Sequence, residues 1–497
     1  MIDPVARDPL VQVVAALCAE RNVAACVVGG AMRDVLLGRP VHDWDFVVER
    51  DAILLARATA DRLGAAFFPL DEERDTGRVV TWAADGARTF LDFALRRGPD
   101  WRADLEARDL TVNAIALPLG ASDVIDLFGG QADLDARLIR AVTERSFRDD
   151  PARTMRAVRL ASELGFQIEP QTAIWIRRDA CLLANVSAER MRDELGKLLA
   201  RPNAFAGVRQ MDELELLAQV LPEVAALRGV EQTAPHHWPV LDHTLFALGV
   251  LERMVDAGQA ATRSVPYLNA PEFVWDDLAQ TLADFRKLLA AHLARPLGDD
   301  RPALVALKLA TLLHDCAKPH TRTVDERGRT HFYDHENIGA PVAAERMRTL
   351  RFTNVEVERV RLDVAHHMRL QQLADAKEGV TRRAAYRFFR DVGEAGVDVL
   401  LLALADHIAT HGPDVQTERW GRRIRTTGEL LAEYWARLAE NVAPPLLVSG
   451  HDLMSELGLP PGKRIGELLQ AIREAQAAGE IATRENALAL ARRLIIR

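Results

Sequence analysis

The sequence predicts an α+β domain at the start of the chain, followed by a long all-α body. Residues 23 to about 125 mix short apolar runs typical of strands with helical patterns, as α+β domains do. From about residue 146 onward, runs rich in Ala, Leu, Arg and Glu place apolar residues at i, i+3 and i+4, which is the spacing of amphipathic helices.

The first domain is predicted to contain a mixed or antiparallel sheet. Its strand candidates are apolar or alternating runs, and turn residues at Asp75-Thr76-Gly77 and Asp85-Gly86 separate some of them. The candidates cover 24–28, 44–48, 65–69, 78–83, 88–95 and 112–117.

The body is predicted to be helical almost throughout. The helical runs include 153–164, 188–199, 303–315, 340–349 and 467–477. Residues 256–301, which contain three prolines, are interpreted as an inserted helical hairpin with loose ends, and Pro444-Pro445 marks the expected joint to a C-terminal piece. These patterns divide the chain into a head (1–145), a neck (146–225), a helical domain with the insertion at about 256–301 (226–440) and a tail (441–497).

The composition is that of an ordinary soluble protein. Of the 497 residues, 48% are hydrophobic and 27% charged, and no run of 18 apolar residues exists, which excludes a transmembrane helix. The first 20 residues do not fit a secretory signal, and the four scattered cysteines predict reduced thiols in a cytoplasm. The net charge of −9 argues mildly against a nucleic-acid partner, but residues 145–201 carry 11 Lys/Arg against 8 Asp/Glu, which allows RNA binding.

The most informative feature is a short apolar run that ends in Gly29-Gly30. It predicts a strand that enters a tight turn, followed by a helix from about Ala31. Glycine permits positive φ and a close approach to phosphate, and the free N–H groups at a helix start attract its charge. Arg33 on the first turn can add a charged fork, and Gly38 predicts the end of the helix.

Asp43-Trp44-Asp45 follows this turn on a predicted strand. Alternate residues of a strand share one face, so both carboxylates point the same way. Such a pair can hold two Mg²⁺ ions about 4 Å apart, which clamp the attacking and leaving oxygens of a phosphoryl transfer. Alone, either feature is more often a plain turn or a solvated strand edge. Together, in this order and this close, they favour nucleotidyl transfer.

Two later segments supply further candidates for nucleotide binding. Arg108 could contact a triphosphate and Asn113 a ribose, although such a polar stretch is more often a solvated turn. Asp150 is predicted to be the N-cap of a helix, with Arg153 and Arg156 on one face of it. Asp150 and Arg153 could read the edge of a base, or they could simply cap the helix and form surface ion pairs. These two roles compete, because a capping carboxylate is less free to contact a base.

A second group of polar residues lies in the body, where His314-Asp315 ends an apolar helix. Neutral imidazole and carboxylate together suit a divalent transition metal. A metal-activated water at such a site could hydrolyse phosphoesters at RNA ends. The candidate ligands are His243, His314, Asp315, His335, His367 and Asp406.

At this point the sequence resembles the bacterial tRNA nucleotidyltransferase/poly(A) polymerase family. The matching segments cover about 27–166 and read GGAMRDVLLGRPVHDWDFVV, ARDLTVNAIALPLG, DVIDLFGGQADLDARLIRAV and DDPARTMRAVRLASELGF. The resemblance implies a nucleotidyltransferase head followed by a helical neck, body and tail. It also implies that Asp43 and Asp45 are catalytic and bind the metals, and that Asp150 and Arg153 act as the template for CTP and ATP. The predicted nucleotide-binding residues are Gly29, Gly30, Arg33, Arg108, Asp109, Asn113, Asp150, Arg153 and Arg156.

The histidine-rich group resembles the HD phosphohydrolase domain. That resemblance implies one metal held by His243, His314, Asp315 and Asp406, and a second metal completed by His335 and His367. Such domains can also persist as scaffolds without activity.

The sequence therefore predicts an enzyme that adds CCA to the 3′ end of tRNA from CTP and ATP, with Mg²⁺ at the head. Within the same class, a poly(A) polymerase or an enzyme that adds only CC or only A remains an alternative. From another class, the chain could act mainly as an HD-type phosphohydrolase with a degenerate head, and the intact Asp43/Asp45 pair argues against that. No membrane partner is expected, and the oligomeric state stays open.

Overall fold

The computed structural model describes residues 3–82, 86, 88–256, 269–376, 379–436 and 446–495. The chain divides into two compact units. The first comprises residues 1–194 and 213–219, and the second comprises residues 195–212 and 220–497. Across the part of the chain that is described, none of the helices combines the length and apolar character needed to cross a membrane.

A six-stranded mixed sheet organises the first unit, in agreement with the predicted fold class. The strand order is β3-β4-β5-β2-β1-β6, with β2 and β5 parallel and the other neighbours antiparallel. Phe46 of β2 and Phe93 of β5 are in register, and their stacked rings lie 5.0 Å apart in the buried core. The strands span Ala25–Val28 (β1), Asp43–Val48 (β2), Ala66–Asp71 (β3), Thr76–Trp82 (β4), Arg88–Leu95 (β5) and Ala116–Pro118 (β6).

The strand candidate at 112–117 is wrong over its first half. Thr111–Asn113 forms a turn of 3₁₀ helix, and β6 begins only at Ala116. The buried Thr111 hydroxyl donates to Asp133 at 2.6 Å, and the backbone N–H of Ala114 bonds back to Thr111. Local bonds of this kind compete with pairing to a neighbouring strand. Residue 83 and Asp85, which belonged to a predicted strand and a predicted turn, lie outside the described residues.

Short strand pairs complete the described sheet structure: Leu138–Ile139 (β7) with Gln167–Ile168 (β8), Pro296–Gly298 (β9) with Arg301–Pro302 (β10), and Arg322–Val324 (β11) with Thr330–Phe332 (β12). The helices up to residue 225 span Asp3–Arg7 (α1), Pro9–Arg21 (α2), Gly29–Leu36 (α3), Ala52–Leu63 (α4), Trp101–Glu106 (α5), Gly130–Asp135 (α6), Ser146–Asp149 (α7), Ala152–Leu164 (α8), Pro170–Asp179 (α9), Ala188–Leu199 (α10), Ala204–Glu213 (α11), Leu217–Val220 (α12) and Pro222–Ala225 (α13).

The second unit is largely helical, as predicted for the body. Val240–Asp256 (α14), Ala303–Leu313 (α17), His335–Thr349 (α19), Asn354–His366 (α20) and Ala395–His411 (α23) pack against one another. The remaining helices span Glu272–Ala283 (α15), Arg286–Ala294 (α16), Lys318–Thr321 (α18), Arg369–Ala374 (α21), Arg382–Val392 (α22), Thr417–Ala436 (α24), Gly450–Leu457 (α25), Lys463–Ala477 (α26) and Arg484–Ile495 (α27).

The insertion contains two helices, α15 and α16, but they pack against different helices, α24 and α17, and not against each other as the predicted hairpin would. Their apolar side chains Val274, Leu278 and Leu289 are buried. Residues 257–268, which include one of the predicted loose ends, lie outside the described residues, and so does Pro444-Pro445.

Candidate active site and metal centre

The register of the head sheet brings the glycine turn against the carboxylate pair. Val28 at the end of β1 pairs with Asp45 of β2, so the next residue, Gly29, lies directly beside that carboxylate. Gly29 has a φ of 71°, and a Cβ there would lie 3.1 Å from Asp45 Oδ2 and 3.4 Å from Arg108 Nη1. Only glycine fits such a position without strain. Helix α3 begins at Gly29, two residues earlier than predicted.

Asp43 and Asp45 share one face of β2, as predicted. Asp43 is exposed and accepts a hydrogen bond from the backbone N–H of Phe90, whereas Asp45 is partly buried. Burial, together with the neighbouring Asp92 and Asp43, raises the pKa of Asp45 to about 6 against the opposing charge of Arg108. A divalent cation would relieve this crowding of negative charge, and carboxylate oxygens are the ligands that Mg²⁺ prefers.

Sequence reasoning missed Asp92 and its partner. Asp92 of β5 stands in register with Asp45, and its carboxylate forms a bidentate ion pair with Arg78 of β4, with both N–O distances 2.7 Å. Asp92 lies 47 residues beyond Asp45 in the chain, so only the parallel pairing of β2 with β5 could have revealed it.

Four of the predicted nucleotide-binding residues form one continuous hydrogen-bonded chain. Arg33 Nη1 donates to Asn113 at 3.0 Å, and Asn113 Nδ2 donates to Asp109 at 3.2 Å. Asp109 in turn accepts from Arg156 Nη1 at 3.2 Å, and Arg156 also pairs with Glu194 of α10. Burial raises the pKa of Asp109, but Arg156 and Asn113 outweigh it and hold that pKa below its usual range.

The carboxylate of Asp104 holds the guanidinium of Arg108 in place. Its Nε and Nη2 donate to the buried carboxylate of Asp104 at 3.3 and 3.1 Å. Nη1 is the guanidinium nitrogen that lies beside Gly29. A guanidinium held in this way presents fixed donors toward the glycine turn, as a triphosphate-binding residue requires.

The predicted role of Asp150 as an N-cap is wrong. Helix α8 begins at Ala152 with Pro151 in the capping position, and no side chain caps it. The short helix α7 ends at Asp149, so Asp150 is an extended link between two helices and its carboxylate turns away from the α8 backbone. That carboxylate accepts from Arg190 of α10 at 2.7 Å.

The other carboxylate oxygen of Asp150 is available for a ligand. Oδ1 is buried and has no hydrogen-bond partner among the described residues. Arg153 lies next to it, with its Nε 3.7 Å from Oδ2, and Arg153 Nη2 is fixed by the carbonyl of Ala107 at 2.9 Å. Burial raises the pKa of Asp150, but Arg190 and Arg153 together keep that pKa below its ordinary value.

The second unit brings together all six predicted metal ligands of the body. His243 lies on α14, Asp406 lies on α23, and the others lie at or just beyond helix ends. Two ligand groups share Asp315: His243, His314 and Asp315, and then Asp315, His335 and His367, with ligand atoms within 4.8 Å of one another in each group. Asp406 Oδ1 lies 3.1 Å from His243 Nε2 and 3.7 Å from His314 Nε2.

Three of the histidines are oriented by the backbone. Nδ1–H of His314, His335 and His367 donates to the carbonyl three residues earlier, at 2.8, 2.9 and 2.8 Å. This bond fixes the tautomer and leaves the Nε2 lone pair pointing at the centre, as metal-bound histidines usually do. Nε2 of His243 and Nε2 of His314 are buried and make no hydrogen bond of good geometry within the described part of the chain. Their nearest carboxylate oxygens are Asp406 Oδ1, 3.1 Å from the first, and Asp315 Oδ2, 3.2 Å from the second.

The centre has a strongly negative field. Burial lowers the pKa of His314, yet Asp315 and Asp406 reverse this and raise it to about 10. A divalent cation could take the place of that proton. The unpaired nitrogens, the oriented rings and the two carboxylates therefore fit a divalent metal.

Four family models match the chain in order. They are the "Poly A polymerase head domain" over residues 25–140, the "Probable RNA and SrmB- binding site of polymerase A" over 165–227, the "HD domain" over 287–410 and the "tRNA nucleotidyltransferase domain 2 putative" over 412–491. The mixed sheet with its glycine turn and paired aspartates is thus a nucleotidyltransferase head of the poly(A) polymerase class.

Two curated relatives match almost from end to end. The A-adding tRNA nucleotidyltransferase of Deinococcus radiodurans is 36% identical over 94% of this chain and 95% of its own. The CC-adding tRNA nucleotidyltransferase of Thermus thermophilus is 34% identical over 93% of this chain and 92% of its own. The chain belongs to the tRNA nucleotidyltransferase family.

The fold also matches solved structures. The CCA-adding enzyme in complex with CTP superposes with a TM-score of 0.60 and 21% identity, covering 97% of this chain and 95% of that one. The HD match begins after His243, and helices α15 and α16 lie between that residue and the other ligands in the sequence. In the structure His243 lies with His314 and Asp315.

Proposed function

We propose that this protein adds nucleotides to the 3′ end of tRNA, using CTP and ATP and no nucleic-acid template. The observation that carries the proposal is the pairing of Val28 with Asp45, which joins the glycine turn, the Asp43/Asp45 pair and Arg108 in one site. The relatives that match the chain from end to end are named for this type of reaction.

In this proposal Asp43 and Asp45 hold two Mg²⁺ ions, which would neutralise charge as the 3′-hydroxyl attacks the α-phosphate and pyrophosphate leaves. Gly29 and Gly30 let the triphosphate approach the backbone at the start of α3. Arg108 binds the phosphates as charge develops on them. Positioning and electrostatics carry most of the rate in such a transfer.

The hydrogen-bonded chain from Arg33 to Arg156 supports the candidate active site. Arg33, Asn113 and Asp109 bond to one another and to Arg156, so they hold the nucleotide pocket in shape. Asp109 is buried, and its carboxylate is occupied by protein donors. We assign it to positioning Asn113 and Arg156 for the nucleotide.

Base selection is assigned to Asp150 and Arg153. The unpaired Oδ1 of Asp150 can accept from an exocyclic amine, and the guanidinium of Arg153 can donate to a ring nitrogen or carbonyl. Cytosine and adenine both carry an amine next to a ring acceptor, so one pair of side chains could serve both. In this proposal Arg190 holds the carboxylate of Asp150, and the carbonyl of Ala107 holds the guanidinium of Arg153.

The main candidate is the complete addition of CCA. A second candidate is an enzyme that adds only CC or only A, because the two full-length relatives described above are named for those partial reactions. Both candidates use the same head residues and the same metal ions.

The Asp43→Ala variant tests the head assignment. We expect it to lose incorporation of labelled CMP and AMP into tRNA while its affinity for tRNA stays close to wild type. The variant Asp51→Ala removes an exposed acid just beyond the same strand and serves as the control. Near-normal turnover by Asp43→Ala would refute the metal-binding role.

A second activity is proposed for the body, where the histidine cluster would hold one or two divalent metal ions and hydrolyse phosphoesters. His243, His314, Asp315 and Asp406 would hold one ion, and Asp315, His335 and His367 the other. A bound metal would supply an activated water. If phosphatase activity survives Asp43→Ala and disappears in Asp315→Ala, the site works independently of the head.

A further inference from the structure

A cavity of about 440 Å³ opens over the candidate metal centre of the second unit. One wall carries four of the metal-ligand candidates. Basic side chains from the β11–β12 hairpin and from α24 line the same cavity. The lining residues used below are Asp315, Asp406, His407, Arg419 and Arg423.

Arg423 on α24 is the least expected of these residues. Its exposed fraction is only 6%, and its Nη1 is buried with no hydrogen-bond partner among the described residues. A guanidinium is always charged, and burying one without a partner is costly. Such a group persists in a cavity wall when a ligand of opposite charge completes it.

The neighbours of Arg423 do not neutralise it locally. Burial lowers its pKa, Asp375 and Asp406 act in the opposite direction, and Arg419 and Arg422 add further positive charge. Asp406 itself faces the two histidines of the metal centre. The cavity is therefore lined both by basic side chains of α24, which form its basic wall, and by the metal-ligand candidates.

The basic wall lies outside the segment that matches the HD model. Arg419 and Arg423 fall within residues 412–491, which match the second tRNA nucleotidyltransferase domain model. Beside them, Nε2 of His407 is buried and has no partner in the described part of the chain, and its ring stacks on Trp420 of α24. The pocket thus contains two buried nitrogens without a partner among the described residues, Nη1 of Arg423 and Nε2 of His407, and of these Arg423 lies on a helix outside the HD match.

We propose that Arg423 is the phosphate-binding residue of this cavity and that its ligand is a phosphomonoester of about mononucleotide size. The inference rests on the proposed phosphohydrolase function of the metal centre and names its substrate class. The planar fork of a guanidinium matches two phosphoryl oxygens, and a metal ion held by the ligand cluster in the same cavity would bind the same dianion. A volume of about 440 Å³ lies within the range of small-ligand pockets.

The test measures phosphate binding directly. Inorganic phosphate is titrated into the full chain loaded with Ni²⁺, by calorimetry, for the wild type and for Arg423→Met, Arg423→Lys and Arg425→Met. Arg425 lies on the same helix but is exposed, so its variant loses the same charge without altering the cavity. Ni²⁺ affinity is measured for each variant.

We expect Arg423→Met to bind phosphate about 10- to 100-fold more weakly than wild type, the loss of a charged hydrogen bond. Its Ni²⁺ affinity and its nucleotidyl transfer should stay unchanged. The phosphate affinity of Arg423→Lys should lie between those of wild type and Arg423→Met, because lysine keeps the charge but lacks the planar fork of donors. Arg425→Met should bind phosphate as wild type does. The unfolding temperature of Arg423→Met should be no lower than wild type, since an unpaired buried charge is removed.

Wild-type phosphate affinity in Arg423→Met would overturn the inference. A loss of Ni²⁺ affinity in that variant alongside the loss of phosphate affinity would overturn it as well. The phosphohydrolase proposal fails separately. If phosphate binds through Arg423 but the metal-loaded chain does not hydrolyse p-nitrophenyl phosphate, the binding site stands and the activity does not. If hydrolysis depends on Asp315 and is indifferent to Arg423→Met, the activity stands and the inference does not.

Discussion

At the scale of single residues, the head site depends on charges that the sheet forces together. Asp45 sits between Asp43 on its own strand and Asp92 on the next, and burial with these neighbours raises its pKa to about 6. Arg108 from one side and Arg78 from the other partly balance the cluster. In the proposed reaction, this negative charge would attract a divalent cation and then the triphosphate that the cation accompanies.

The Asp-x-Asp pattern could be predicted from sequence, because alternation along a strand is a local property. Asp92 and the free Oδ1 of Asp150 could not be predicted. The first depends on which strands become neighbours, and the second depends on a one-residue shift in the start of α8. That shift removes the helix-capping role, which the sequence left open as an alternative for Asp150.

Arg153→Ala tests the role of this pair in base selection. We expect the preference between CTP and ATP to be lost to a greater degree than tRNA affinity, because Arg153 lies beside the unpaired oxygen of Asp150. The measurement is kcat/KM for each nucleotide. Arg145→Ala is the control, since that side chain is 79% exposed in the same segment. An unchanged nucleotide preference in Arg153→Ala would contradict the assignment.

At the scale of elements, β1, β2 and α3 build the site and the body helices build the metal centre. The apolar periodicity of the body could be read from the sequence, because long amphipathic helices carry a strong signal. The conformation of the first half of the 112–117 segment could not be read from the sequence. Thr111 is hydrogen-bonded to the distant Asp133, and the chain forms a 3₁₀ turn there. The grouping of His243 with the later metal-ligand candidates could be predicted only from the resemblance to the HD domain. Helices α15 and α16 separate them in the sequence, so their spacing follows no recognisable motif.

Gly29→Ala and Gly38→Ala form a matched pair that tests the junction of β1 with α3. Both glycines have positive φ, 71° and 66°, so each variant should lose roughly 1–2 kcal/mol of unfolding free energy. Only at Gly29 does the new Cβ meet the carboxylate of Asp45, at 3.1 Å; at Gly38 nothing lies within 4 Å. Turnover should therefore fall in Gly29→Ala alone. Equal turnover in the two variants would show that the close approach is unimportant.

Asp363 on α20 gives a prediction about stability and pH. Both of its carboxylate oxygens are buried and lack hydrogen-bond partners among the described residues. Burial raises its pKa well above the ordinary value, Asp398 adds to this and Arg359 opposes it. Because the folded state binds this proton more tightly than the unfolded state, stability is lost as pH rises from the unfolded toward the folded pKa.

We therefore expect the unfolding temperature of Asp363→Asn to exceed that of wild type at pH 8 and the gap to close toward pH 5. In free energy, the gap changes by up to about 1.4 kcal/mol per pH unit over the titration range. Glu358→Gln, on the same helix, should show a gap that stays constant from pH 8 to pH 5, because Arg361 lowers the pKa of Glu358 and this carboxylate is ionised in both states over that range. A pH-independent gap for Asp363→Asn would contradict the account.

At the scale of the whole molecule, the chain carries two sites with separate ligand sets, one in each compact unit. The head site presents oxygen ligands and phosphate-binding backbone, whereas the body site presents imidazole and carboxylate. We expect Asp315→Ala to lose bound transition metal, measured by elemental analysis, while it keeps nucleotidyl transfer. Asp43→Ala should lose nucleotidyl transfer while it keeps the bound transition metal. A joint loss in either variant would mean that the two sites are not independent.

The central claim is that this chain builds a defined 3′ end on tRNA, and the most direct test uses three transcripts that end before CCA, after the first C and after CC. Each is incubated with Mg²⁺ and with CTP, ATP or both, and the products are resolved to single nucleotides. We predict that the first transcript gains CCA and then stops. Addition of CC alone to the first transcript, or of A alone to the third, would assign the partial reaction. Unlimited A addition, or no addition to any transcript with Mg²⁺ present, would contradict the account.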